Sequence, residues 1–140
     1  MSSVPSNRKK VFGFQLDLHS GVPAYRQIID QVTGGLAAGT LSSGEQLPTV
    51  RQVAVDLSIN PNTVMRAYRE LEIRGIIESL QGTGTFISHQ DGKPDEAERR
   101  RRLSQLVGEF LARAGAAGFT VQELVDQLRE LNSGSERKRR

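Results

Sequence analysis

Apolar positions recur at helical spacing in five separate stretches of this 140-residue chain. Tyr25, Ile28, Val32 and Leu36 place one face of residues 23–38 in a core, with Pro23 suited to a first helical turn and Gly39 to the C-terminal cap. Gly34 and Gly35 inside that stripe each cost roughly 1 kcal/mol relative to alanine. The helix therefore depends on tertiary packing and on a close neighbour that only glycine admits. Val50, Val53, Ala54 and Leu57 form a second stripe behind Pro48-Thr49, where Thr49 and Gln52 match a capping box. Ser58-Ile59-Asn60 is a turn. Val64, Ala67, Tyr68 and Leu71 form the third stripe, capped by Asn60, with Pro61 at its first position and Gly75 at its end.

Two longer stripes follow. Asp95, Glu96 and Glu98 favour a helix start, and Leu103, Leu106, Val107, Phe110, Leu111 and Ala114 then share one face until Gly115–Gly118 breaks the pattern. Thr120 and Glu123 form another capping box at the head of Val121, Leu124, Val125, Leu128 and Leu131.

Period-two alternation is confined to two places. Phe14, Leu16 and Leu18 alternate with Gln15, Asp17 and His19, a short strand signal ended by Ser20-Gly21. Ile76–Leu80 and Thr85–Ser88 flank Gln81-Gly82-Thr83-Gly84 as a hairpin. The fold class is α+β, mostly α. Residues 1–10 read as a disordered basic arm carrying Arg8, Lys9 and Lys10; 11–89 as a winged helix-turn-helix domain; 90–94 as a linker; 95–132 as a two-helix tail; and 133–140 as a disordered basic end.

A helix whose inner face is packed and whose N-terminal residues are polar fits the major groove of B-DNA, where base edges carry a distinct donor and acceptor code. Asn62 and Thr63 occupy the second and third helical positions, and Arg66 lies one turn beyond Asn62, within reach of bases or phosphate. Backbone amides at that helix start suit a phosphate. Arg51 lies near the start of the preceding helix, which in such folds crosses the DNA backbone. Gly82-Thr83-Gly84 gives the hairpin a tip without bulk, able to enter the minor groove. Singly, each feature has a plainer reading. Arg51, Arg66 and Arg69 are ordinary solvated charges, with Arg66–Glu70 an i,i+4 pair; Asn60 and Pro61 merely cap a helix; Gly82 and Gly84 satisfy a turn. Their order and spacing together are what is specific.

Charge adds little. The net charge is +3, but residues 1–89 hold 8 Lys+Arg against 7 Asp+Glu, and residues 90–140 hold 11 against 9. Hydrophobic content of 36% with 5% aromatics builds a modest core and leaves no room for a large ligand domain. Without cysteine there is neither a disulfide nor a thiolate metal site. No stretch approaches the roughly 20 apolar residues of a membrane helix, and no signal peptide is legible, so a cytoplasmic, membrane-free protein is expected. His19 and His89 stand apart from any nucleophile or ligand cluster, and Gly82-Thr83-Gly84 lacks the lysine and following helix of a phosphate loop. These absences weigh against catalysis, a bound metal and a cofactor.

Over residues 23–88 the sequence resembles the GntR family of bacterial transcription regulators. The matching positions are Gly39, Gly44, Leu47-Pro48-Thr49, Arg51, Ala54, Leu57, Asn60, Thr63-Val64, Ala67-Tyr68, Leu71, Gly75 and Gly82-Thr83-Gly84-Thr85-Phe86. The resemblance implies double-stranded DNA as partner, with Thr49, Arg51, Asn62, Thr63 and the wing at Gly82 as contacts; Asn60, Arg66, Thr83 and Gly84 complete the candidate set. Pro61 stands where some members carry an arginine, so that contact is absent. The 46 residues after Pro94 are too few for the large effector domains of the FadR and HutC types. They resemble the YtrA type, whose short helical tail serves dimerisation. Leu103, Leu106, Val107, Phe110, Leu111, Leu124 and Leu128 are then the expected homodimer contacts. By the same resemblance the protein is a repressor of a palindromic operator, with a transporter operon as target and a small-molecule effector in the dimer cleft. The competing reading is a winged helix that docks another protein and does not recognise a DNA sequence.

Overall fold

The computed structural model describes residues 11–89 and 95–139, so the basic arm 1–10 and the linker 90–94 lie outside the described residues. The chain divides into two compact units, residues 1–89 and 90–140.

The first unit begins with an extended segment. Phe12, Phe14 and Leu16 are half-buried while the residues between them are exposed, and the Phe12 and Phe14 rings meet edge to face at 5.0 Å. This segment is not a strand, and Leu18 is 85% exposed. Its backbone is held by glutamine side chains in place of a neighbouring strand. Gln31 accepts from the Gln15 amide at 2.9 Å and donates to the Gln15 carbonyl at 2.5 Å. Gln27 does the same at Asp17, at 2.8 and 2.9 Å. An amide side chain offers an N–H donor beside a carbonyl acceptor, as a peptide unit does, so two glutamines one turn apart stand in for a ladder.

These glutamines belong to α1, Ala24–Ala38, which buries Ile28, Ile29 and Val32 and ends at Gly39 in the left-handed region, φ 83°. Of the two internal glycines only Gly35 faces a close neighbour. A Cβ there would lie 3.0 Å from Thr40 Oγ1 and 3.1 Å from Leu41 Cδ1, whereas one on Gly34 would meet nothing.

Strand β1 (Gln46–Leu47) follows, then α2 (Val50–Leu57), α3 (Pro61–Ile73), β2 (Ile77–Leu80) and β3 (Gly84–Ile87). The sheet is antiparallel with order β1-β3-β2. β1 is a third strand that the alternation did not disclose, since two residues make no pattern. Both helices carry the expected N-caps: Thr49 Oγ1 accepts from the Gln52 amide at 3.0 Å, and Asn60 Oδ1 from the Asn62 amide at 2.8 Å. Only half of the first capping box forms, because the Gln52 side chain donates to Asp56 at 2.7 Å. Ser58 links the helices at φ 55°, with its amide on the Val55 carbonyl and the Ile59 amide on the Ala54 carbonyl. That is the paired C-terminal closure usually given to glycine. The core joins Ile28, Ile29 and Val32 to Leu41, Leu47, Val53, Val64, Ala67, Leu71, Ile77 and Ile87.

In the second unit α4 spans Glu96–Ala116, capped by Asp95, whose carboxylate accepts from the Ala97 amide at 3.1 Å. Gly115 lies inside it, and the chain turns instead at Gly118, φ 90°. Helix α5 spans Val121–Arg139. It takes in residues 133–139 of the end expected above to be disordered, and Arg140 lies outside the described residues. Leu103, Leu106, Val107, Phe110, Leu111 and Leu128 are all exposed, and Leu124 is half-buried.

Candidate nucleic-acid interface

Helix α3 buries Val64, Ala67, Tyr68 and Leu71, which fixes its opposite face outward. Successive residues turn by about 100°, so Asn62, Arg66, Arg69 and Ile73 share that outward face, and all four are exposed. Thr63 flanks it and is half-buried; Met65 lies on the other flank, exposed. The helix therefore presents a polar N-terminal half, as a groove-entering helix requires.

The start of α3 is less open to a phosphate than its position suggests. Pro61 has no amide hydrogen, the Asn62 amide is taken by Asn60 Oδ1, and the Thr63 amide by the Asn60 carbonyl at 3.0 Å. The expected phosphate cradle there is already filled by the cap, so any backbone contact falls to side chains. Asn60 retains its amide donors, since only its oxygen is used in the cap.

Arg51 is the second residue of α2 and is exposed, as is its neighbour Thr49. The start of α2 is registered on α3 by Tyr68, whose hydroxyl donates to the Pro48 carbonyl at 2.6 Å. Burial pushes the Tyr68 phenol far above its ordinary range.

At the wing, Leu80 pairs with Gly84 and the tip is Gln81-Gly82-Thr83, all exposed. Gly82 has φ 77° and Gly84 φ 133°, conformations that side chains disfavour. Gly84 has a second reason to be glycine: a Cβ would lie 2.6 Å from Gln46 Nε2, which donates to the Thr83 carbonyl at 3.4 Å. Gln46 thus props the tip from β1, a role with no sequence signal because its partner is 37 residues away.

The anticipated Arg66–Glu70 pair is not made. Glu70 meets Arg74 at 3.4 Å, and the Arg66 guanidinium lies over the Tyr25 ring on α1, 3.8 Å from its centroid. Thr49, Arg51, Asn60, Asn62, Thr63, Arg66 and the wing residues all belong to this first unit, while the exposed stripe of α4 belongs to the second. Among the described residues no His/Cys/Asp/Glu group has the makings of a metal site, and no helix is long and apolar enough to cross a membrane.

Comparison with known proteins agrees with this architecture. The chain is 34% identical to the HTH-type transcriptional repressor YtrA of Bacillus subtilis over 119 residues, 85% of this chain and 92% of that one. Among solved structures, a transcriptional antiterminator from Listeria monocytogenes superposes with a TM-score of 0.64 at 28% identity, covering 86% of this chain and 90% of that one. YtrA from Sulfolobus acidocaldarius, a GntR-family transcription factor, gives 0.53 at 31% identity, covering 71% and 97%. Residues 24–87 match the bacterial regulatory proteins of the gntR family. The chain is a winged-helix, DNA-binding transcription regulator of the GntR family, similar to its YtrA-type members, and not an enzyme.

Proposed function

We propose that this regulator is a cytoplasmic, homodimeric repressor of a palindromic operator. The observation that carries the reading is the outward face of α3: a capped helix with Asn62, Arg66 and Arg69 exposed over a fully buried inner stripe, flanked by a bulk-free wing. In this reading Asn62 and Thr63 meet base edges, while Thr49, Arg51 and Asn60 hold the duplex backbone. Gly82, Thr83 and Gly84 enter the neighbouring minor groove. Repression is taken from the relative in Bacillus subtilis, which is named a repressor.

The homodimer rests on α4. Leu103, Leu106, Val107, Phe110 and Leu111 line one face, with Leu106 63% and Phe110 49% exposed. A continuous apolar stripe of that length marks an interface, and a two-fold copy supplies the self-complementary partner; Leu124 and Leu128 of α5 are taken as further contacts in the same reading. A two-fold dimer sets two recognition helices on half-sites about one helical turn, or a multiple, apart. A transporter operon as target and a small effector in the dimer cleft belong to the same reading.

The test is selection of a duplex from a random pool by the purified protein, followed by titration at several salt concentrations. Log K is expected to fall linearly with log salt, by about 0.9 per neutralised phosphate. If no duplex is enriched at physiological salt, the protein-docking alternative takes its place.

A further inference from the structure

Arg66 is an exposed cation whose side chain is held by an aromatic ring and, among the described residues, not by an acid. Its guanidinium carbon sits 3.8 Å from the centroid of the Tyr25 ring. At that distance the cation is in direct contact with the ring face. The cation is attracted by the ring's negative face, and because Arg66 is exposed it keeps N–H groups for a further acceptor. Tyr25 is a firm platform: it is half-buried, near the start of α1, and packed against the core.

We propose that Arg66 contacts a DNA phosphate, not a base, and that Tyr25 is its positioning residue. This rests on the DNA-binding reading above and adds to it the class of contact. Three observations support it. First, a base contact needs the arginine to extend straight out from α3 into the groove, whereas Arg66 is folded sideways onto α1. Arg66 starts on the outward face, but this fold carries its guanidinium towards the α1 side, and when a helix lies in a major groove its flanks meet the phosphate walls. Second, the charge is uncompensated. Glu70, the acid at the right spacing, is engaged by Arg74, and Arg66 forms no ion pair among the described residues. Third, the alternative phosphate ligands at the start of α3, the Asn62 and Thr63 amides, are already bonded within the chain. The helix needs another group for that task, and a cation held in place before binding loses little side-chain freedom when the phosphate arrives.

The experiment uses the full-length protein with two probes, a duplex selected from a random pool and a scrambled duplex of the same length. Arg66→Ala and Tyr25→Leu are each expected to weaken both duplexes by the same factor, on the order of tenfold at physiological salt. Each is also expected to flatten the salt slope by about 0.9, the loss of one phosphate contact. Tyr25→Phe, which keeps the ring face, leaves both quantities unchanged. Combining Arg66→Ala with Tyr25→Leu is no worse than Arg66→Ala alone. In the unsubstituted protein the Arg66 δ protons are expected upfield by nuclear magnetic resonance, shifted by the Tyr25 ring current; this tests the stacking even if Tyr25→Leu does not fold. An Arg66→Ala variant that changes the selected sequence while keeping the salt slope overturns the assignment, as does a Tyr25→Leu variant that weakens binding at constant slope. Unshifted δ protons also overturn it. A protein that enriches no duplex removes the DNA-binding reading itself. One that binds while Arg66→Ala keeps the slope removes only this inference.

Discussion

The Tyr68 hydroxyl donates to the Pro48 carbonyl at 2.6 Å, joining the middle of the recognition helix to the residue ahead of the α2 cap. The two helices are thus registered by one polar contact inside an otherwise apolar seam of Val53, Ala54, Val64 and Ala67. Tyr68→Phe is expected to cost about 1 kcal/mol, the net value of a typical hydrogen bond with its acceptor left behind. Denaturant unfolding measures it directly.

The burial of the same side chain sets a response to alkali. Burial holds the Tyr68 proton more tightly in the folded protein than at the ordinary pKa of 10.0. The unfolded chain therefore releases that proton first, and stability falls as pH rises above about 10. Below that pH the contribution is fully present. The alkaline fall is expected to be shallower in Tyr68→Phe, and melting curves from pH 8 to 11 compare the two.

Gly34 and Gly35 differ in what a methyl group would meet. Gly34→Ala enters open space and is expected to stabilise by about 1 kcal/mol through helix propensity alone. Gly35→Ala presses on the buried Leu41 side chain and is expected to fall below Gly34→Ala by about 1–3 kcal/mol. Equal midpoints for the two variants would remove the packing explanation.

Ser58 holds the left-handed position of the helix-turn-helix corner at φ 55°. Relieving its Cβ strain, less the added freedom of glycine in the unfolded chain, gives Ser58→Gly an expected gain on the order of 0.5–1 kcal/mol. DNA affinity is expected to stay constant, since the backbone there is already in the conformation glycine prefers.

Two variants, one double and one single, address the proposed functional surfaces. Leu106→Asp combined with Phe110→Asp is expected to give a folded monomer with weak operator binding, because both side chains are exposed and carry none of the core; light scattering reads the mass. Arg51→Ala is expected to cost on the order of 1–3 kcal/mol of operator affinity, and no loss would make it a surface charge.

What could be read from the residues themselves follows the range of the interactions. Caps at Thr49 and Asn60, the stops at Gly39 and Gly75, and the helical stripes are local, and they appear where the pattern puts them. Features decided by distant partners were not legible. Gln27 and Gln31 look like ordinary surface residues until the extended segment lies beside them. A choice between two near partners was equally hidden: Gln52 could bond back to Thr49 or onward to Asp56, and spacing alone favours neither. Arg66 had a suitable acid at Glu70, yet the ring on α1 takes it and Arg74 takes the acid. The Phe14–Leu18 alternation is real as far as Leu16, but alternation reports a buried side, not a ladder partner.

Strand β1 carries a further consequence. Leu47 pairs with Thr85 of the wing's returning strand, and the next residues are Pro48 and the Thr49 cap of α2. Between wing and helix pair there is thus no loose joint, and Tyr68 ties the same corner to α3. A reader built this way behaves like a gauge with a fixed jaw. Such a wing is expected to hold its shape on DNA, leaving the duplex to twist or compress to suit it. That work depends on the stiffness of each base step. Base pairs beneath the wing are then expected to be selected by how readily they deform, in addition to what the Gly82-Thr83-Gly84 tip touches.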